Sequence, residues 1–205
     1  IDLLADGRLK VGTQSADCGT SQNTVMGQFV AEELGVDPDQ VDVLHMDTEE
    51  TPPDLGSAAS RVTFVSGNAA VKTAKTFRAE LTRRLAAHWE VSPEEIAFAD
   101  GIVSHKTDNE RRLTLAEVAD LEGPFRVEDR HDIDLPRPDP KTGYGHYAAT
   151  YGFGAQAVEV EVDPATGHVD VLKVVVVQDI GRVINPLALD GQMQGGIVQG
   201  IGMAL

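Results

Sequence analysis

AQAVEVEVDPATGHVDVLKVVVVQDI, residues 155–180, says more about the architecture than any other stretch of the chain. Ala155 to Val162 alternates apolar and polar residues, the period-two pattern of a half-buried strand. Asp163-Pro164-Ala165-Thr166-Gly167 supplies a turn that ends on glycine, and Val169 to Ile180 returns as a second strand. Val171 to Val177 is apolar on both faces, which predicts a strand in the middle of the molecule with a helix layer against it.

Working outward, the helical signals are equally local. Val25, Met26, Phe29, Val30 and Leu34 recur at helical spacing over Thr24 to Leu34, with Gly35 as the stop. Ala70, Val71, Ala74, Phe77, Leu81 and Leu85 form one apolar stripe, so a long helix is expected from a Ser66 cap to about residue 90. Leu9 to Ala16 and Val41 to Met46 read as strands, Glu94 to Lys106 as a hairpin turning near Asp100-Gly101, and Thr114 to Leu121 as a short helix with Leu115 and Val118 inward. This order implies an α+β fold of mixed sheets with packed helices. The expected organisation is a first portion over 1–129, a proline-, glycine- and charge-rich connecting excursion over 130–148, and a second portion over 149–205.

The chain has 205 residues, with 17 basic and 33 acidic side chains, a formal charge of -16. Its field repels phosphate backbones and anionic lipid, which argues against nucleic acid and membrane surfaces as partners. Asp37 to Asp54 carries carboxylates without lysine or arginine and lacks the spacing of a calcium loop, so a solvated face is expected there. Cys18 is the sole cysteine, which leaves no internal disulfide and no thiolate set for an iron–sulfur cluster or structural zinc, and fits a cytoplasmic protein. The chain opens at Ile1 without methionine and stops at Leu205 within a glycine-rich helical run, which predicts an excised or truncated segment.

The histidines show no HExxH pairing, and there is no phosphate-loop or nucleophile-elbow motif, so zinc chemistry, nucleotide hydrolysis and serine-hydrolase chemistry lack sequence support. Three glycine-bearing stretches remain. Cys18-Gly19-Thr20-Ser21-Gln22-Asn23-Thr24 opens a helix whose free amides attract an anion; a merely capped helix is the competing reading. Leu55-Gly56-Ser57-Ala58-Ala59-Ser60-Arg61 permits close backbone approach and one charge-assisted contact to an oxyanion, or is a tight turn with a surface arginine. The third, Gly191 to Gly202, interleaves glutamines and glycines at a helix start; the glutamines suit a heterocycle with mixed hydrogen-bonding edges, whereas tight helix packing would need only the glycines.

In their order these motifs resemble the molybdopterin-binding large subunit of the xanthine dehydrogenase and aldehyde oxidase family. The similar stretches are GTSQNTVMGQFVAEELG (19–35), DTEETPPDLGSAASRVTFVSG (47–67) and residues 153–205, including GQMQGGIVQGIGMAL. The region 92–147 is similar only in its pattern of elements. The resemblance implies a molybdenum–molybdopterin cofactor, in some members extended as a cytosine dinucleotide, contacted by Gly19, Thr20, Ala59, Ser60, Arg61, Gln194, Gly195 and Gly196. This chain departs from the family at Gly19-Thr20-Ser21, where Gly-Gln-Gly is usual.

The family's reaction is hydroxylation of an aldehyde or N-heteroaromatic carbon with oxygen from water, assisted by a glutamate in a G-x-G-E type motif that falls beyond Leu205. No catalytic residue and no direct metal ligand is therefore expected here, and the segment alone would be inactive. Iron–sulfur clusters and FAD are implied on partner subunits or domains, along with the remainder of the molybdopterin-binding chain and a small-molecule substrate. The alternative is a non-catalytic binding or assembly module that keeps the fold without the cofactor. A further alternative is an unrelated acidic α+β protein with another phosphorylated ligand.

Overall fold

The computed structural model describes residues 1–133, 135 and 137–205, and divides into two units, Ile1–Asp132 and Ile133–Leu205. The first unit is built on a strand–helix–strand repeat flanked by two very short strands. β1 (Asp2–Leu3) pairs antiparallel with β2 (Leu9–Thr13), and Gly7 makes the intervening turn at a φ of 82°. β2 then leads through α1 (Gln22–Leu34) to β3 (Val41–His45), which runs parallel to β2 with Leu9 opposite Val41 and Thr13 opposite His45. α1 buries Val25, Met26, Val30, Ala31 and Leu34 and ends on Gly35, whose left-handed conformation lets its amide close the last turn on the Ala31 carbonyl.

α2 (Val62–Trp89) lies against α1 and carries the predicted stripe: Ala70, Ala74, Phe77, Leu81 and Leu85 are buried, and Val71 is half-buried at its margin. Gly67 is what lets the two helices approach. A Cβ there would fall 2.6 Å from the Phe29 ring. Next come β4 (Ile96–Ala99), β5 (Ile102–His105) and β6 (Arg112–Thr114), a three-stranded antiparallel sheet, then α3 (Leu115–Glu122) and β7 (Phe125–Arg126). Asp100 and Gly101, both at positive φ, form the predicted hairpin turn. Thr114 caps α3 in a reciprocal box with Glu117, and Leu115 and Val118 point inward as expected. β7 returns to pair with β1, giving a four-stranded sheet in the order β3-β2-β1-β7.

The second unit holds β8 (Phe153–Val162) and β9 (Val169–Asp179), the antiparallel hairpin quoted first, and α4 (Pro186–Ala204). The connecting excursion predicted over 130–148 includes Asp134 and Pro136, which lie outside the described residues; the rest of it forms no helix or strand.

Three expectations are corrected. Val171 to Val177 is not in the middle of a layered core: none of the described residues of β8, β9 or α4 is buried, and Val175 and Val177 are exposed. Apolarity on both faces of a strand records a demand for cover, and within this chain that demand is not met. Ser66 does not cap the long helix, which starts one turn earlier at Val62; Ser66 is buried just past its first turn, 3.3 Å from the Ser15 hydroxyl. The glycine- and glutamine-rich stretch does not start a helix either, because Asn185 caps and Pro186 opens α4 well upstream of it.

On the exposed side of α2, Glu80 accepts from Arg83 Nε and Nη2 at 2.8 and 2.7 Å and from Arg84 Nε at 2.7 Å. Arg83, with Arg84, pulls the Glu80 carboxyl from its usual 4.5 down to about 2. A depressed carboxylate stabilises the fold above its unfolded pKa, and loses that contribution as pH falls through the folded value. Glu80→Gln is therefore expected to lower stability at neutral pH by about 0.5–1 kcal/mol. In thermal scans of the full-length polypeptide at stepped pH, the gap to wild type should close between about 4.5 and 2.

Candidate functional site

β2 and β3 are parallel neighbours, so the segments leaving their carboxyl ends emerge side by side: residues 14–21 lead from β2 into α1, and residues 46–61 lead from β3 into α2. Loops at the carboxyl ends of parallel strands, running into helix N-termini, are where such folds hold ligands.

The first loop is organised by Asp17. Its Oδ1 accepts from the Gly19 and Ser21 amides at 3.1 and 3.2 Å, and its Oδ2 from the Asn23 amide at 3.3 Å. The amides that the sequence offers to an external anion are thus turned inward onto the chain's own carboxylate. Gly19 and Thr20 are exposed at the tip.

Asp54 organises the second loop. Its Oδ1 accepts from the Gly56 amide at 2.8 Å and from Arg61 Nη1 at 2.5 Å, and the same Nη1 donates to the Gly56 carbonyl at 2.9 Å. The Arg61 and Asp54 side chains retain 20% and 22% exposure, so the pair stays open to a ligand. Ala59 and Ser60, which precede Arg61, both adopt left-handed conformations with φ of 49° and 54°. Such a pair of non-glycine residues costs about 1–2 kcal/mol per residue, and strain of this kind collects at ligand clamps. Among the described residues nothing accepts a hydrogen bond from the Ala59 or Ser60 amide. Those amides precede the first turn of α2, and successive main-chain N–H groups in this setting form an anion- or lone-pair-binding concavity.

The two loops meet at Ser57. Its hydroxyl donates to the Ala16 carbonyl at 2.7 Å, and the Gln22 carboxamide donates to that hydroxyl at 3.1 Å. Beside them opens a cavity of about 800 Å³ lined by Thr13, Gln14, Asp54, Arg61, Ser66 and Thr73, among others. Of the residues named from sequence, the first unit therefore brings Gly19 and Thr20 onto one loop and Ala59, Ser60 and Arg61 onto its neighbour.

Gln194, Gly195 and Gly196 belong to the second unit, in the interior of α4, where the Gln194 amide donates to Asp190 Oδ2 at 2.8 Å. They form helix rather than loop. A Cβ on Gly191, Gly195, Gly196, Gly200 or Gly202 would meet nothing within 4 Å, so no described neighbour exploits these small residues for close packing.

Asp17, Asp54, Gln22 and Ser57 are not named as site residues from sequence, although Gln22 and Ser57 lie within the two motif stretches. Asp17-Cys18-Gly19 and Asp54-Leu55-Gly56 both have the spacing at which an aspartate bonds the amide two residues on, which was a legible signal. The Gln22–Ser57 contact spans 35 positions and has no local signature. Among the described residues no cluster of His, Cys, Asp and Glu is placed to hold a metal ion, and no helix is long and apolar enough to cross a membrane.

Residues 1–205 match the family described as molybdopterin cofactor-binding domain. The chain is 37% identical to 6-hydroxypseudooxynicotine dehydrogenase complex subunit gamma of Paenarthrobacter nicotinovorans, over 100% of this chain and 25% of that protein. It is 31% identical to the nicotine 6-hydroxylase large subunit of the same organism, over 91% of this chain and 23% of that protein. Among solved structures, the aldehyde oxidoreductase of Desulfovibrio desulfuricans is similar with a TM-score of 0.76 at 30% identity, over 98% of this chain and 20% of that one. The chain thus spans about a quarter of the length of the curated relatives it matches.

Proposed function

The chain belongs to the molybdopterin cofactor-binding domain family, and from that premise we propose that its 54–61 loop grips the pterin of a molybdenum hydroxylase. The observation that carries this is the left-handed Ala59-Ser60 pair, whose amides have no acceptor among the described residues, immediately before Arg61. When bound, the cofactor supplies a Lewis-acidic metal for hydroxylating an aldehyde or N-heteroaromatic substrate with water. The chain's own part is binding and orientation. The Ala59 and Ser60 amides donate, the Arg61 guanidinium adds charge-assisted donors, and Asp54 fixes Arg61 in place.

Asp17 and Asp54 already fill the positions an oxyanion would take, which supports contact with the uncharged heterocycle here instead of with phosphate. Gln194, Gly195 and Gly196 supply further contacts, Gly19 and Thr20 lesser ones, and the cofactor's cytosine dinucleotide form belongs to the same reading. The base for turnover, the iron–sulfur clusters and the flavin lie on other parts of the polypeptide or on partner subunits. Domain boundaries near 129 and 149 belong to this proposal as well.

The test is the molybdenum and pterin content of the full-length polypeptide that carries this segment. Wild type should hold both, and Arg61→Ala should lower retained molybdenum about tenfold, the factor that corresponds to a charge-assisted hydrogen bond near 1.4 kcal/mol. Active wild-type material devoid of molybdenum would reject the reading. A second reading, a non-catalytic assembly module, is favoured by the way Asp17 satisfies the first loop internally. It expects molybdenum content to be indifferent to Arg61.

A further inference from the structure

We propose that Gln22, acting through Ser57, is the positioning residue that holds the 54–61 loop in its binding conformation; this rests on the cofactor reading above. Gln22 is the first residue of α1 and only 4% exposed, an unusual place for a carboxamide, which must find partners there or destabilise the fold. It finds Ser57. The Gln22 Nε2 donates to Ser57 Oγ at 3.1 Å, and Ser57 Oγ donates onward to the Ala16 carbonyl at 2.7 Å. The Ser57 hydrogen can instead turn to Gln22 Oε1 at 3.2 Å, so the link survives rotation of the hydroxyl.

Residues 46–61 contain no helix or strand. Upstream the loop is tied to β2, where the Met46 amide donates to the Thr13 carbonyl and Lys10 pairs with Glu50, and the bonds of Asp54 to Gly56, Arg61 and Ser66 close it on itself or onto the start of α2. Ser57 is its hydrogen-bonded anchor to the neighbouring loop, and it lies two residues before Ala59. Ala59 and Ser60 stay left-handed at a conformational cost inside a turn that the Arg61 amide closes on the Ala58 carbonyl at 3.1 Å, so a link that restrains the segment just upstream decides how firmly that turn is held. Rotation about the released segment would let Ala59 and Ser60 relax toward ordinary φ values and give up the left-handed turn.

The experiment uses the full-length polypeptide, with two readouts: molybdenum per folded chain, and amide hydrogen exchange in peptides covering residues 54–61. Gln22→Met keeps the length and removes the amide; Ser57→Ala removes the hydroxyl; Ser57→Thr keeps it. Gln22→Met and Ser57→Ala should each speed loop exchange and lower retained molybdenum about fivefold, the factor that corresponds to one hydrogen bond near 1 kcal/mol. The double variant should do no worse than Ser57→Ala alone, because that substitution already removes the Gln22 link together with the bond to the Ala16 carbonyl. Ser57→Thr should restore both readouts.

A purely structural role would lower the melting temperature while leaving loop exchange and molybdenum per folded chain as in wild type, and would overturn the proposal, as would additive effects in the double variant. If wild type itself lacks molybdenum, the cofactor reading fails by itself. The exchange readout still decides whether Gln22 and Ser57 hold the loop.

Discussion

Phe77→Ala should weaken the first unit by about 3–5 kcal/mol, the range for deleting a fully buried aromatic side chain. Phe77 is 0% exposed at the middle of α2, and its ring stacks on Phe125 with centroids 5.0 Å apart and planes 14° from parallel. Phe125 belongs to β7, and the Arg84 guanidinium covers it at 4.4 Å from the ring centroid. Truncation therefore removes the hydrophobic transfer of one ring and the stacking contact worth about 0.5–1.5 kcal/mol beyond it, and leaves the Phe125 ring, on which the Arg84 guanidinium rests, without its partner on the other side. The cavity left behind lies where α2 meets the sheet edge, so collapse would drag β7 from β1. Hydrogen exchange in α2 and β7 of the full-length polypeptide is the measurement; amides there should exchange roughly a hundredfold faster or more, and Phe77→Leu should recover most of the loss. A change under tenfold would contradict the argument.

Gly7→Ala is expected to cost about 2–5 kcal/mol, for two separate reasons. Gly7 sits at a φ of 82°, a conformation that costs an L-residue about 1–2 kcal/mol. In addition, a Cβ there would lie 2.3 Å from the Ala116 main-chain nitrogen and 2.6 Å from its Cα. Backbone cannot rotate out of the way as a side chain can, so the first turn of α3 must move, and overpacking of this kind costs about 1–3 kcal/mol. The damage should be local. Exchange should accelerate at the β1–β2 turn and at the start of α3, while α1 keeps its wild-type protection; uniform protection throughout would show that the turn has more room than these contacts imply.

How far the sequence was legible follows from the range of each interaction. The stripe from Ala70 to Leu85, the Gly35 stop, the Asp100-Gly101 turn and the short helix with Leu115 and Val118 inward rest on signals within a few residues, and the sequence places each of them. β1 and β7 have only two residues each, too few for any periodicity, and exist because they pair with each other across more than 120 positions. The start of α2 was misplaced because Ser66 has the chemistry of a cap, while the turn that launches the helix comes from the unusual backbone of Ala59 and Ser60.

The candidate site divides the same way. Small residues before Arg61 and glycine beside Thr20 marked both loops, since close backbone approach requires small side chains. What those loops offer a ligand was decided elsewhere: Asp17 and Asp54 take the groups that seemed free for an anion, and Gln22 takes Ser57.

By itself, then, the order of residues determined the apolar stripes of α1 and α2, the hairpin turns and the two glycine-bearing loops of the first unit, because turn chemistry and apolar spacing operate over one or two turns of backbone. Only the tertiary structure decided which carboxylate meets which amide, that the two loops share Ser57, and that β8 and β9 leave their valines open. Hydrogen bonds and burial between distant segments depend on which surfaces the fold brings together, and no short pattern encodes that.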